Sequence, residues 1–150
     1  MYSLLHYRIP FSEVDAMSIV HHSNHARYFE RGRVDHLRLI EMPYTEIMKQ
    51  GMHFPLTSMT VNFKRPLYFD SIIVVETKIS MLTKVRLNYS YRILTGEPEG
   101  KDRLVSEALP GNALVTGSTE HCCVNDAGRP MEMAPNLFAI LQKYYVEQKL

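Results

Sequence analysis

The 150-residue sequence has few cysteines, almost no net charge and no long apolar run. Its two cysteines, Cys122 and Cys123, are adjacent, and they make a poor disulfide pair because successive strand side chains point to opposite faces. We interpret them as free thiols in a reducing compartment. The formal net charge of +1 provides no strong overall field toward nucleic acid or an acidic membrane.

No stretch approaches the roughly 20 apolar residues that cross a bilayer. Met1–Pro10 also lacks the basic region and apolar stretch of a signal peptide. We therefore expect a cytoplasmic protein with no membrane insertion and no nucleic-acid partner. No internal repeat or linker divides the sequence, so we expect residues 1–150 to form a single domain.

What is present is an ordinary globular composition, with 45% hydrophobic and 22% charged residues. Hydrophobic periodicity predicts a first strand at Tyr2–Ile9, a long helix at Asn24–Met42 and a short helix at Tyr44–Gln50. Further strands are predicted at Leu56–Lys64, Ser71–Leu82, Val85–Leu94 and Ala113–Val124. A closing helix is predicted at Asn136–Glu147. Consecutive strands with short connections favour an α+β fold, with a mainly antiparallel sheet of about five strands and one long helix.

The long helix has recognisable ends. Ser23 or Asn24 is a candidate N-cap, and Pro43 is the expected stop. Gly32 lies midway along the helix, where it either allows close approach to the sheet or is simply tolerated. Thr95–Gly111 is longer than a tight hairpin requires, and we interpret it as an idle insertion in preference to a lid.

The segment that can carry chemistry is Ser12–His25, directly before the long helix. It contains the carboxylates of Glu13 and Asp15 and the imidazoles of three residues, His21, His22 and His25. The first N–H groups of a helix have no intrahelical partner, and they can stabilise a developing oxyanion. A carboxylate beside them could attack a carbonyl or activate water. Two other interpretations remain: Asp15 is a cap or turn former, and the histidines are solvated loop residues or loosely spaced metal ligands.

The same segment resembles the signature of the 4-hydroxybenzoyl-CoA thioesterase family, in the hotdog-fold superfamily. The resemblance is carried by Glu13-Val14-Asp15-Ala16-Met17-Ser18-Ile19-Val20-His21-His22-Ser23-Asn24-His25, then Tyr28-Phe29-Glu30. Phe63-Lys64-Arg65-Pro66-Leu67-Tyr68-Phe69-Asp70 adds weaker support, and the order of elements is similar across nearly the whole chain. The resemblance implies a hotdog fold, in which a sheet wraps around one central helix, and a homodimer or homotetramer with active sites between subunits.

The resemblance also assigns roles. Asp15 becomes the nucleophile or general base that hydrolyses an acyl-CoA without a metal or other cofactor, and His22 lies near the thioester carbonyl. The backbone N–H at about His22 polarises that carbonyl. The remaining implied substrate-binding residues are His21, Ser23, Asn24, Tyr28 and Met59, with Lys64, Arg65, Lys84 and Arg86 as candidates for the phosphates of coenzyme A. Phe54 and Val61 are further candidates for the acyl pocket, although they, Tyr28 and Met59 could equally belong to the core. An acyl carrier protein remains an alternative thiol carrier.

Three positions depart from the family pattern. Ser18 replaces a glycine, which matters if the turn needs a positive φ. Glu13 stands where aspartate is commoner, and His25 replaces a tyrosine, which adds a group that titrates near neutral pH. Two rival functions are a hotdog-fold hydratase or dehydratase, and a non-catalytic acyl-CoA sensor.

Overall fold

The computed structural model describes residues 1–145 and shows one antiparallel sheet with a long helix against one face. The strands are β1 (Tyr2–Arg8), β2 (Leu56–Phe63), β3 (Ile72–Leu82), β4 (Arg86–Thr95), β5 (Arg103–Val105) and β6 (Val115–Cys122). The helices are α1 (Ser23–Leu39), α2 (Tyr44–Lys49) and α3 (Pro135–Tyr144), and a 3₁₀ turn covers Phe11–Glu13. The predicted α+β architecture is confirmed; the last predicted residues of the closing helix, 146 and 147, lie outside the described residues.

The sheet contains six strands in the order β2-β6-β4-β3-β1-β5. Every pair is antiparallel. The sixth strand, β5, lies in the Thr95–Gly111 segment and has three residues. It pairs with β1, whereas the pattern of Gly, Pro and charged residues there indicated only a loop or extended hairpin. Both edges of this sheet, β2 and β5, end without a neighbouring strand in the described part of the chain.

The core lies between α1 and the sheet. Leu87, Tyr89, Tyr91 and Ile93 are all buried, as the period of two in β4 predicts. Phe29 of α1 stacks on Tyr91, with ring centroids 4.4 Å apart and planes 9° apart.

Gly32 lies where α1 approaches β3 most closely. A Cβ atom there would lie 2.5 Å from Oγ1 of Thr77 and 3.0 Å from Cγ1 of Val75. The close-approach interpretation is therefore confirmed, since any side chain at this position would push the helix off the sheet.

Pro43 is not the residue that ends α1. The helix ends at Leu39, and Glu41 adopts the left-handed region with φ 63°. The N–H groups of Glu41 and Met42 donate to the carbonyls of Arg38 and Leu37, which is the pattern of a Schellman turn. The predicted boundary at Met42 was therefore wrong, because this turn is usually signalled by glycine and here it contains glutamate.

The Thr95–Gly111 segment is fastened to the face of the sheet opposite α1. Leu109 packs on a small second core formed by Leu4, Val74 and Leu94. Beneath it the buried Glu76 pairs with Arg92 at 2.9 Å and accepts the backbone N–H of Leu109 at 2.6 Å. The segment is thus a cover for the outer face of the sheet.

Cys122 and Cys123 are both free thiols. Cys123 is fully buried, and burial raises the pKa of its thiol to about 11. Among the described residues, no helix is both long enough and apolar enough to cross a membrane.

Candidate active site

Asp15 occupies a tight turn, where one of its carboxylate oxygens shapes the backbone. Oδ1 accepts the N–H groups of Met17 at 2.8 Å and Ile19 at 3.4 Å. The backbone N–H of Asp15 donates to the carbonyl of Ile19 at 2.9 Å, which closes the turn. The turn-forming interpretation of Asp15 is therefore confirmed. Oδ2 has no hydrogen-bond partner in residues 1–145, and the side chain is exposed in the isolated protomer.

Ser18 provides the unusual backbone that this turn requires. Its φ is 59°, in the left-handed region that favours glycine. The turn thus needs a positive φ at the position where the family pattern has glycine, and serine adopts it.

Glu13 joins the Asp15 turn to the beginning of α1. Its backbone carbonyl accepts the N–H of His21 and the side-chain Nδ2–H of Asn24, both at 3.0 Å. Its buried carboxylate accepts the hydroxyl of Tyr7 at 2.7 Å on one oxygen and that of Tyr28 at 2.6 Å on the other. The turn that carries Asp15 is therefore held against the helix start from two directions.

This role of Glu13 was not predicted from the sequence. Tyr28 lies within the motif, but Tyr7 comes from β1 and reaches Glu13 only once the chain has folded. Arg31 stacks over the ring of Tyr7, 4.4 Å from its centroid, and closes this cluster. The one available signal was the presence of a carboxylate two residues before Asp15 in a mostly uncharged stretch.

Neither predicted cap residue uses its side chain to cap α1. The residue at the N-cap position is His22, in helical geometry and with no side-chain capping bond. Ser23 Oγ instead contacts Nδ1 of His21 at 2.8 Å, and Asn24 is turned toward Glu13. The capping prediction was wrong because the chain enters α1 already helical, so the first N–H groups find partners in the preceding turn.

His21 and His22 form an exposed pair at the helix start. Their rings lie 4.1 Å apart, centroid to centroid. The N–H groups of Ser23, Asn24 and His25 all have acceptors in this turn. The backbone N–H of His22 forms no hydrogen bond among the described residues, and it is available to an external acceptor.

His25 and Tyr28 line the inner side of the same turn of α1. His25 is buried, contacts Phe63 edge-on at 4.7 Å and directs Nδ1 to the carbonyl of His22. Burial lowers the pKa of its imidazole, so it is neutral at neutral pH. Tyr28 donates its hydroxyl to Glu13, and burial raises its pKa. Both side chains are therefore committed to the protein framework.

The four basic residues proposed for coenzyme A lie in two groups. Lys64 and Arg65 follow β2 at the end of the sheet near the Asp15 turn, where Tyr68 pairs with Ile19. Lys84 and Arg86 lie at the opposite end, since β6 aligns Arg86 with Cys122 and Ile93 with Val115. Seven strand residues separate these two ends of β4, or about 23 Å. A single copy of the chain therefore does not bring the four cations together.

The candidate pocket residues also lie in separate places. Met59 is 40% exposed on the edge strand β2, Val61 is half-buried on the same strand, and Phe54 lies before it near α2. Several large apolar side chains near the Asp15 turn are also exposed: Phe11, Met17, Phe63, Tyr68 and Phe69. Phe11 and Phe69 touch edge to face, with centroids 5.6 Å apart. The Asp15 turn is thus surrounded by apolar surface.

The histidines do not gather into a metal site. Over residues 1–145, no group of three or more His, Cys, Asp or Glu side chains is arranged to hold a metal ion. Among these residues, histidine pairs with a carboxylate at His6–Asp102 and His53–Asp126. The first lies on the outer face of the sheet and the second joins two loops before β2 and after β6, so neither belongs to the Asp15 turn.

Comparison with known proteins places this geometry in context. Residues 9–141 match the model of the thioesterase-like superfamily. The acyl-CoA thioester hydrolase YbgC of Escherichia coli is 26% identical over 90 residues, which are 60% of this chain and 67% of YbgC. The crystal structure of DHNA-CoA thioesterase from Staphylococcus aureus superposes with a TM-score of 0.81 at 26% identity, over 95% of this chain and 89% of that one. A hypothetical protein from Thermus thermophilus superposes with a TM-score of 0.83 at 26% identity, over 98% and 100%.

Proposed function

The chain belongs to the thioesterase-like superfamily and has the hotdog fold, and on that premise we propose that it hydrolyses acyl-CoA thioesters with Asp15 as its catalytic carboxylate. The observation that carries this proposal is the turn itself. Among residues 1–145, Oδ2 of Asp15 has no hydrogen-bond partner, and its turn leads into a helix start at which the His22 N–H has none either. These are the two groups that hydrolysis of a thioester requires.

The reaction begins when the thioester carbonyl accepts a hydrogen bond from the His22 N–H. Asp15 then either attacks the carbonyl carbon to form a mixed anhydride, or takes a proton from a water molecule that attacks it. The carbonyl oxygen becomes an oxyanion, and one preorganised donor stabilises such a transition state by about 3–4 kcal/mol. The C–S bond breaks with departure of the coenzyme A thiolate, which gives the free acid directly when water is the attacking group. In the anhydride route, a water molecule then hydrolyses the mixed anhydride, which releases the free acid and regenerates the Asp15 carboxylate.

The positions of the histidines give less support to the hydratase reaction. That chemistry uses a histidine paired with a carboxylate, and the two such pairs described above lie away from the Asp15 turn. His25 is buried, and burial lowers the pKa of its imidazole, which makes it a weaker base.

The edge strand β2 is the surface through which we expect the subunits to associate. Three large apolar side chains are exposed along it, Leu56, Met59 and Phe63, and among residues 1–145 no further strand pairs with its outer backbone edge. Such an edge is a template for pairing with another strand. Antiparallel pairing of two β2 strands about a two-fold axis buries both rows, as an isologous dimer requires.

This pairing brings opposite ends of the two subunits together. The Phe63 end of β2 lies beside the Asp15 turn through the contact with His25, and the Leu56 end lies far from it. In the dimer, Lys84 and Arg86 of the partner subunit come to the same side as Lys64 and Arg65. The four cations could then share the phosphates of one coenzyme A, next to the cavity of about 370 Å³ that Arg65 and Tyr68 line.

The test is release of free thiol from a panel of short-chain, long-chain and aromatic acyl-CoAs, by wild type and Asp15→Asn. Asparagine keeps Oδ1 for the turn and removes the carboxylate. We expect turnover to fall by at least about 100-fold in this variant, while Glu99→Gln, which neutralises an exposed carboxylate in the Thr95–Gly111 segment, stays close to wild type. Unchanged turnover in Asp15→Asn would remove Asp15 from the mechanism. Tight binding of acyl-CoA without hydrolysis by wild type would favour the sensor.

A further inference from the structure

Within the segment from Met17 to His25, a single backbone N–H group has no acceptor among the described residues. It belongs to His22, and every other N–H group in the segment donates to a carbonyl, to the Asp15 carboxylate or to a ring nitrogen. The first N–H groups of a helix have no intrahelical partners, so several free donors are expected at such a place. Only one remains here because the preceding residue, His21, binds two of the others.

His21 accepts these two N–H groups with different atoms. Its carbonyl accepts the N–H of Asn24 at 3.0 Å, and its ring Nδ1 lies 3.3 Å from the backbone nitrogen of Ser23 and 2.8 Å from Ser23 Oγ. A backbone N–H can only donate, so Nδ1 has no proton, and the proton of the neutral imidazole is on Nε2. The Ser23 hydroxyl then also donates to Nδ1. An imidazole nitrogen therefore provides the acceptor that a serine, threonine, asparagine or aspartate oxygen usually provides at a helix start.

The position of the His21 ring is fixed from both sides. The backbone N–H of His21 donates to the carbonyl of Glu13 at 3.0 Å, and the ring contacts that of His22, with centroids 4.1 Å apart and planes 35° apart. The first turn of α1 contains no acidic residue that could bind the Ser23 N–H instead. Nδ1 of His21 is thus the one acceptor that this N–H has among residues 1–145.

Loss of this acceptor would change the helix start in two ways. The Ser23 N–H would become a second free donor beside that of His22, and the first turn would lose the capping bond that stabilises it. A donor stabilises an oxyanion only when it is aligned before the reaction takes place. The direction of the His22 N–H therefore depends on what holds the residues on either side of it.

Resting on the proposed function, we infer that His21 is a positioning residue of the thioesterase site. Its unprotonated Nδ1 and its ring hold the first turn of α1, so that the His22 N–H alone is directed to the thioester carbonyl. His21 acts through His22 and does not touch the reacting atoms. This role differs from the direct contact with substrate that the sequence resemblance implies for His21.

The first test compares His21→Phe, which keeps a ring beside His22 without an acceptor, with His21→Asn, which keeps an acceptor two bonds from Cβ. With an acyl-CoA that wild type hydrolyses, His21→Phe is expected to lower kcat by about 10- to 100-fold and to change KM by less than about 3-fold. His21→Asn should restore kcat to within about 3-fold of wild type, since asparagine is a good capping residue. Equal losses of kcat in both variants would overturn the inference, as would a rise in KM with kcat unchanged. Urea unfolding confirms that both variants are folded.

The second test asks whether His21 acts through the His22 N–H. His22→Pro removes this N–H, and the φ of −54° at His22 lies within the range of a proline ring. His22→Ala is the matched control, because it removes the side chain and keeps the N–H. Adding His21→Phe should lower kcat of His22→Ala and have no further effect on His22→Pro. The same fold-loss in both backgrounds would overturn the inference.

The third test does not depend on turnover and uses protein labelled with 15N at its seven histidines. The ring signals of His21 should show an unprotonated Nδ1 and a protonated Nε2. A ketone analogue of acyl-CoA, in which CH2 replaces the thioester sulfur, should shift the His22 amide proton downfield in wild type and His21→Asn, and much less in His21→Phe. The His22 amide signal is identified by its loss in His22→Ala.

The labelled protein separates failure of the inference from failure of the proposed function. A protonated Nδ1, or equal amide shifts in the three proteins, would overturn the inference even if wild type hydrolyses acyl-CoA. If wild type hydrolyses none, while the His22 amide shifts as expected, the proposed function fails and the placement of the donor by His21 is confirmed. No amide shift at a saturating concentration of the analogue would overturn the inference in either case.

Discussion

Glu13 illustrates how a residue beside the candidate catalytic group can matter more for position than for chemistry. Its carboxylate receives two tyrosine hydroxyls and its carbonyl receives two N–H groups. A buried acceptor with this many partners rigidifies the segment that contains it. The free oxygen of Asp15 lies two residues away, so its placement depends on this cluster.

Glu13→Gln is expected to loosen the turn. The amide nitrogen cannot accept a hydroxyl proton, so either Tyr7 or Tyr28 loses its acceptor, at a cost of about 1–3 kcal/mol in unfolding free energy. Turnover should fall while KM changes less, and urea unfolding together with thiol release measures both. Glu120→Gln, an exposed change on β6, should stay within about 0.5 kcal/mol of wild type. Equal stability of the two variants would show that the tyrosine contacts contribute nothing.

At the scale of single residues, the sequence predicted the neighbours that lie close together along the chain. The Asp15 turn and the helix start lie within a dozen residues of each other, so their proximity follows from chain connectivity. The contact between Tyr7 and Glu13 depends on the folding of β1 beside α1, and no pattern within one segment records it.

At the scale of elements, the end of α1 shows what sequence periodicity leaves out. The alternation in β4 and the spacing in α1 place the buried residues correctly, because burial on one face dictates the period. Helix termination depends instead on a single backbone conformation, the positive φ of Glu41. Glutamate gives no hint of it, since residues with a side chain rarely adopt this region.

Replacing that residue by glycine is a direct test. Glu41→Gly is expected to raise the unfolding free energy by about 0.5–1 kcal/mol, because glycine adopts the left-handed region without steric cost. The residue is exposed, so no packing is lost. Chemical denaturation measures the change. A destabilised Glu41→Gly variant would mean that the side chain stabilises the turn in some other way.

The next prediction concerns the association of subunits through the edge strand β2. Met59→Lys places a charge in the middle of the proposed interface, where the two-fold axis brings it near its own copy. We expect the protein to shift toward monomers in analytical ultracentrifugation and to lose activity in parallel. Arg103→Glu on β5, the other edge of the sheet, should leave the sedimentation coefficient unchanged. A Met59→Lys protein that stays associated and active would place the interface elsewhere.

At the scale of the whole molecule, buried histidines make stability depend on pH. The pKa of His36 and that of His121 are each lowered to about 4, mainly by burial. Because the unfolded chain binds these protons near pH 6.5 and the folded chain near pH 4, stability is complete above about pH 6.5 and falls as the pH drops toward 4.

The loss should be on the order of 3 kcal/mol for each histidine across that window. Urea unfolding at pH 7.5, 6 and 5 measures it, and His36→Gln should make the slope shallower. His36 is fully buried, with Nδ1 3.0 Å from Oγ of Ser3. Constant stability between pH 7.5 and 5 would show that these imidazoles find other proton acceptors or solvent.

The sheet also ends very differently on its two sides. β2 offers an eight-residue edge, whereas β5 contributes three residues at the other end. Long bare edges on both sides would let each copy recruit another without limit, and the product would be a fibre. With one long edge, a two-fold pair consumes the whole of it and strand-by-strand growth stops at two. We therefore expect the short β5 to keep the proposed association closed, so that any larger particle is built from surfaces other than strand edges.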